Sequence, residues 1–155
     1  MNHITKLLNP RENILLEAEV SSRKRLFEEA AKVLSTAAGV PAQNVFDALI
    51  AREKLGSTGL GQLAAIPHAR ICGVVDPCLC LIRTSAPIDF GGPAQTSAQL
   101  FFIIAIPENS PEAYLDILSE IANLLQDSNA RTALMKAETP GEIVTVITDW
   151  EPTTH

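Results

Sequence analysis

The stretch REKLGSTGLGQLAAIPH, residues 52–68, runs from the end of a helix through a flexible glycine- and hydroxyl-rich turn. A short apolar run then delivers one histidine behind a proline. Upstream, Val45, Phe46, Leu49 and Ile50 mark the apolar face of a helix over residues 42–54. At about 100° per residue, Glu53 falls near the middle of that face and Arg52 at its edge. Charge on an apolar face breaks the pattern, and such breaks concentrate at functional sites. The other reading is a helix that ends there with both groups in water; the pattern leaves both open. Downstream, residues 63–66 suggest a short strand. Pro67 restricts Ile66 to an extended conformation and fixes its own φ, so the backbone sets the direction of the His68 imidazole.

Outward from this centre, residues 13–17 (NILLE) read as a first strand. Ser22 is a good N-cap for a helix to about Ala38, striped by Leu26, Ala30, Val33, Leu34 and Ala37. Gly39 ends that helix and Pro41 opens the next. Arg23, Lys24 and Arg25 oppose the dipole of the first helix, partly offset by Glu28 and Glu29, and read as a solvated face in preference to a docking patch. Residues 77–84 and 98–106 read as buried strands, because their apolar residues do not alternate with polar ones. Residues 87–93 (PIDFGGP) read as the turn between them. Ser110 and Pro111 start a long helix with Tyr114, Ile117, Leu118, Ile121, Leu124 and Leu125 on one face. Ser128 is read as the cap of a short helix to about Ala137. Thr139 to Glu142 has capping-box spacing for a last helix through Ile143, Val146 and Ile147. The expectation is an α+β protein in α/β/α layers, a mixed central sheet flanked by helices on both faces.

With 155 residues, 46% of them apolar and 19% charged, the chain is expected to be one domain over residues 1–155, its core spanning about residues 4–150. The net charge of −6 argues against nucleic acid as a partner. It permits a basic protein partner. The longest apolar run, around residues 100–106, is too short to span a bilayer, and the N-terminus lacks a signal pattern, so a cytoplasmic protein without membrane insertion is expected. Cys78 and Cys80 share a face if they lie on a strand; with Cys72 they read as reduced thiols and not as a zinc site.

His68 is the histidine set inside a plausible site, while His3 and His155 lie at the ends and read as solvated. An imidazole is a nucleophile near neutral pH. Phosphoryl transfer needs alignment and positive charge around three equatorial oxygens. Arg52 supplies charge; Ser57, Thr58 and the N–H groups around Gly59 supply donors. The run Gly56 to Gly61 lacks the lysine of a phosphate-binding P-loop, and no Asp/Glu cluster suggests an obligatory metal. No cofactor is implied. A hydrolase using His68 as base would lack a paired nucleophile or carboxylate at recognisable spacing.

REKLGSTGLG followed by AIPHAR resembles the signature of the enzyme IIA domains of the bacterial phosphoenolpyruvate-dependent phosphotransferase system. The nitrogen-related subgroup, similar to the fructose/mannitol class, is the nearest. The likeness extends through SSRKRLFEEAAKVL, through residues 105–108 (AIPE) and through LDILSEIANLLQD. It implies that His68, matching the histidine of the IPH motif, accepts a phosphoryl group from the phosphohistidine of the carrier HPr or its nitrogen-branch relative. Arg52 matches the arginine of the family site. Stand-alone members resemble regulators whose phosphorylation state controls transporters, sensor kinases or metabolic enzymes.

Three positions depart from the family pattern. Tyr114 stands where a second histidine is common near the start of the long helix. Gln62-Leu63-Ala64 replaces a glycine-containing segment, and Ala69 replaces the usual glycine after the histidine. A phenol donates one hydrogen bond but carries no imidazolium charge. Tyr114 is read either as a phosphoryl ligand or as an aromatic filler at the edge of the core. The alternative function is an enzyme IIA-like binding module that signals by contact and seldom carries phosphate; Tyr114 and Leu63 favour it.

Overall fold

Both faces of the two long apolar runs are covered, which is why neither run alternates with polar residues. Leu79, Leu81, Leu100, Phe102, Ile104 and Ile106 point into one core, whereas Cys80, Ile82, Phe101, Ile103 and Ala105 point into the other. The computed structural model describes residues 3–8, 11–91, 97–109 and 111–150. In chain order the elements are α1 (His3–Leu7), β1 (Ile14–Ala18), α2 (Arg23–Ala38), α3 (Ala42–Leu55), β2 (Gly59–Gly61), β3 (Ala64–Ala65) and β4 (His68–Ile71). They continue with β5 (Cys78–Asp89), β6 (Ser97–Pro107), α4 (Pro111–Gln126), α5 (Ser128–Lys136) and α6 (Pro140–Asp149).

The strands form one mixed sheet in the order β1-β5-β6-β3-β2. β1 runs parallel to β5, and β5 antiparallel to β6. β3 and β4 lie one after the other along the same edge of β6, both parallel to it: Ala64 and Ala65 face Leu100 and Phe101, and residues 68–71 face residues 104–107. Pro67 separates them, and the gap is bridged by the Ile104 N–H, which donates to the Pro67 carbonyl at 2.9 Å. Helices α2 and α3 cover one face; α1, α4, α5 and α6 cover the other. This is the layered mixed-sheet fold expected from the sequence.

Several local expectations hold in detail. The Ser22 hydroxyl caps α2 by accepting from the Arg25 N–H at 3.2 Å. Gly39 closes α2 at φ 72°, a left-handed conformation that glycine adopts without cost. Thr139 caps α6.

Others are corrected. Residues 59–61 belong to a strand and not to a flexible turn: β2 pairs with β3 through a hairpin whose central residues are Gln62 and Leu63. Leu63 therefore lies outside the strand placed at residues 63–66. Both turn residues have positive φ, 58° and 64°, as a two-residue hairpin loop requires. The family's glycine there has a conformational explanation, and Leu63 meets it under strain. Ala69, by contrast, lies in β4 with extended backbone, so its Cβ meets no such penalty.

Residues 87–89 continue β5 and are not part of a turn. Pro87 fits because residues 84–87 bulge opposite Gln99 alone, where a missing N–H breaks no ladder bond. The rest of that proposed turn, beyond Gly91, lies outside the described residues, as does Ser110. Asp127, and not Ser128, caps α5, its carboxylate accepting from the N–H groups of Asn129 and Ala130. A charged oxygen one residue earlier outcompetes the hydroxyl.

Candidate functional site

His68 opens β4, immediately after the proline break. Its Nδ1 lies 2.8 Å from the Ile66 carbonyl. A carbonyl only accepts, so Nδ1 carries the ring proton and Nε2 presents its lone pair outward. Ile66 is held on its other side as well, its N–H donating to the Thr58 carbonyl at 3.1 Å. The imidazole direction is thus fixed by backbone on both sides of one residue. The His68 pKa lies below the ordinary 6.5. Partial burial is the main cause, opposed by the Ile66 hydrogen bond; the Arg52 charge lowers it further and Glu53 raises it. The ring is therefore neutral, hence nucleophilic, at pH 7.

His68 faces an open cleft of about 560 Å³ lined by Arg52, Leu55, His68, Arg70, Ile106 and Tyr114, among others. Arg52 comes from the last turn of α3, where its Nη1 donates to the Gly56 carbonyl at 2.9 Å. That contact holds the side chain across the helix end, and among the described residues no other hydrogen bond or ion pair uses the guanidinium. Tyr114 comes from the first turn of α4. Arg70, two residues beyond His68 on β4, donates from Nη2 to the Tyr114 hydroxyl at 2.8 Å. Its guanidinium carbon lies 5.3 Å from the centre of the tyrosine ring.

Ser57, Thr58 and Gly59 do not line this cleft. The Thr58 N–H and hydroxyl both donate to Glu53, to Oε2 at 3.0 Å and to Oε1 at 2.6 Å. The Ser57 Oγ accepts from the Gly59 N–H at 3.1 Å and donates to the Phe90 carbonyl at 3.5 Å. Glu53, read above as either a site residue or a solvated helix end, is 7% exposed. Its Oε2 lies 3.9 Å from Arg23 Nη1, and Arg23 itself stacks on Phe90. Arg23 is therefore engaged with the turn and is not part of a simple solvated face. The carboxylate locks the turn, the turn holds Ile66, and Ile66 holds the imidazole.

The structure brings together His68, Arg52 and Tyr114 at one cleft. Sequence reading missed Arg70. Its signal was the strand spacing His-Ala-Arg, which puts residues 68 and 70 on one side. The side chains of His3 and His155 lie outside what is described. Among the described residues, no His, Cys, Asp or Glu side chains cluster as a metal requires. Cys78 and Cys80 share a face of β5, with burial raising both thiol pKa values, and Cys72 is exposed. No described helix is long and apolar enough to cross a membrane.

Residues 7–150 match the family model described as phosphoenolpyruvate-dependent sugar phosphotransferase system, EIIA 2. The nitrogen regulatory protein of Pseudomonas aeruginosa is 34% identical over 152 residues, covering 96% of this chain and 97% of its own. The crystal structure of nitrogen regulatory protein IIA-Ntr from Neisseria meningitidis superposes with a TM-score of 0.87 at 40% identity, over 93% of this chain and 98% of that one. IIA mannitol from Escherichia coli shares the fold, with a TM-score of 0.75 at 23% identity over 88% of this chain and 96% of its own. The chain belongs to the EIIA 2 family of the phosphoenolpyruvate-dependent sugar phosphotransferase system.

Proposed function

We propose that this protein is a phosphocarrier and regulator that accepts a phosphoryl group on Nε2 of His68 from an HPr-type phosphocarrier and controls partner proteins by its phosphorylation state. The observation that carries this reading is the Nδ1–H bond to the Ile66 carbonyl, which turns a neutral Nε2 toward a cleft bearing Arg52.

The transfer balances within two rings. A bond forms from Nε2 to phosphorus as the bond from phosphorus to the donor's ring nitrogen breaks. The electron pair of the broken bond returns to the donor ring. No proton moves in this step: Nδ1 keeps its own against Ile66, so the phosphorylated ring becomes cationic, and the donor ring, protonated on its other nitrogen, leaves as neutral imidazole. Arg52 faces the charge on the equatorial oxygens, where a fixed donor lowers the barrier more than it aids docking. Regulation then rests on a change of local charge: a neutral ring gains a phosphoryl dianion, offset in part by the positive charge of the ring that keeps its Nδ1 proton, on the surface that a partner reads.

Of the departures from the family pattern, Tyr114 and Ala69 line the cleft and Leu63 does not. Leu63 is in the β2–β3 turn, and the Ala69 side chain is buried against the α2/α3 layer. The test is intact-mass analysis after incubation with enzyme I, the HPr-type carrier and phosphoenolpyruvate, at a pH that preserves acid-labile phosphohistidine. The wild type gains one phosphoryl group and folded His68→Ala gains none. Label persisting in His68→Ala would sink the proposal.

A further inference from the structure

Two guanidinium groups, those of Arg52 and Arg70, line the cleft. β4 alternates outward and inward: His68 is half-buried, Ala69 buried, Arg70 exposed and Ile71 buried. His68 and Arg70 therefore project to the same side, about 7 Å apart along the strand. No ion pair among the described residues uses Arg70. Its partner is a neutral phenol, which fixes the guanidinium without cancelling its charge. Tyr114 grips it twice, through the hydroxyl at 2.8 Å and through the ring face at 5.3 Å. Arg52 is likewise bonded to a carbonyl and not to a carboxylate. In a chain of net charge −6, two guanidiniums that form no ion pair among the described residues, beside one imidazole, make a local cationic pair.

We propose that Arg70 is a second phosphoryl-binding residue and that Tyr114 is its positioning residue, acting through Arg70. This rests on the phosphohistidine reading above. One N–H of Arg70 is spent on the tyrosine hydroxyl; the others remain for the equatorial oxygens of a phosphoryl group on Nε2 of His68. The planar fork suits two oxygens of one phosphoryl group. Holding the guanidinium on Tyr114 before phosphate arrives removes part of the ordering cost of an exposed, flexible side chain.

The test measures single-turnover transfer from the phosphorylated HPr-type carrier, across carrier concentrations, for wild type, Arg70→Ala, Arg70→Lys, Tyr114→Phe and the double variant Arg70→Ala/Tyr114→Phe. Arg70→Ala should lower the limiting rate by roughly tenfold or more, less than the loss of an enclosed electrostatic donor because water screens an exposed one. Arg70→Lys should recover only part of the rate. Tyr114→Phe should slow transfer by up to about tenfold, the worth of one hydrogen bond. In the Arg70→Ala background, Tyr114→Phe should have no further effect. Melting temperatures should stay near wild type throughout.

An effect confined to the carrier concentration at half-maximal rate would make Arg70 a docking residue and overturn the proposal. Additive losses in the double variant would overturn the role given to Tyr114. A second arm needs no transfer: titration with inorganic phosphate, read from the Arg70 and His68 side-chain resonances. Phosphate should shift both in wild type, and His68 more weakly in Arg70→Ala. A wild type that takes no phosphoryl group from the carrier refutes the phosphohistidine reading, and an Arg70 resonance indifferent to phosphate refutes this one.

Discussion

Replacing Glu53 by glutamine probes the lock behind the histidine. The carboxylate accepts two hydrogen bonds from Thr58, at 3.0 Å and 2.6 Å, from a position that is 7% exposed. Glutamine keeps the shape and can keep both contacts, since its amide oxygen accepts from one donor and its NH₂ can donate to the Thr58 hydroxyl once that group turns. What it loses is charge assistance. Bonds to a charged acceptor contribute about 1.5–3 kcal/mol and neutral ones about 0.5–1.5, so two of them lose roughly 2 kcal/mol in all. For a chain of this length that lowers the melting temperature by about 4–8 °C. Glu53→Ala leaves the Thr58 N–H and hydroxyl unpaired and should cost roughly 2–6 kcal/mol. Chemical denaturation of wild type, Glu53→Gln, Thr58→Val and the double variant gives the coupling between the two side chains. If Glu53→Gln falls within about 0.5 kcal/mol of wild type with no coupling to Thr58, the residue is a solvated helix end and the lock is refuted.

Arg52→Ala should slow phosphorylation of His68 by on the order of a hundredfold, while a change below about threefold would make Arg52 only a tethered helix end. Arg52→Lys should not restore the rate fully, because the fork is lost. Transfer should fall with pH through a midpoint below 6.5, as His68 takes up a proton at Nε2; a midpoint above 6.5 contradicts the burial argument. Stability follows the same group: the unfolded chain protonates first, so the His68 contribution is neutral above pH 6.5 and turns against the fold as pH falls from there to the folded pKa. Leu63→Gly should raise stability by about 1 kcal/mol by relieving a left-handed turn position, with the transfer rate unchanged.

The helices and the two buried strands were legible because each carries its own periodicity. The stripe of α4, the caps Ser22 and Thr139, and the runs in β5 and β6 are local statements. β2, β3 and β4 were not legible as three strands, since they are two to four residues long; β2 exists by pairing with β3, and β3 and β4 by pairing with β6 residues 36 positions later, residue 64 with 100 and 68 with 104. The same reason hid the continuation of β5 through Pro87, which depends on a bulge set by its neighbour. At the site, His68 and Arg52 stood out by motif and by a break in helical pattern. The use of Glu53 did not, because its ligand is a backbone N–H that meets it only after the turn folds back. Arg70 stood in plain view beside His68, but its partner Tyr114 is 44 residues away.

The proposed transfer turns on one nitrogen. The most direct measurement is a nitrogen-resolved proton NMR spectrum of the His68 ring, taken before and after incubation with enzyme I, the HPr-type carrier and phosphoenolpyruvate. The expected result is a neutral ring protonated at Nδ1 before transfer and phosphorus coupled to Nε2 afterwards. A ring that stays unchanged while the carrier is fully phosphorylated, or phosphorus attached to Nδ1, would contradict it.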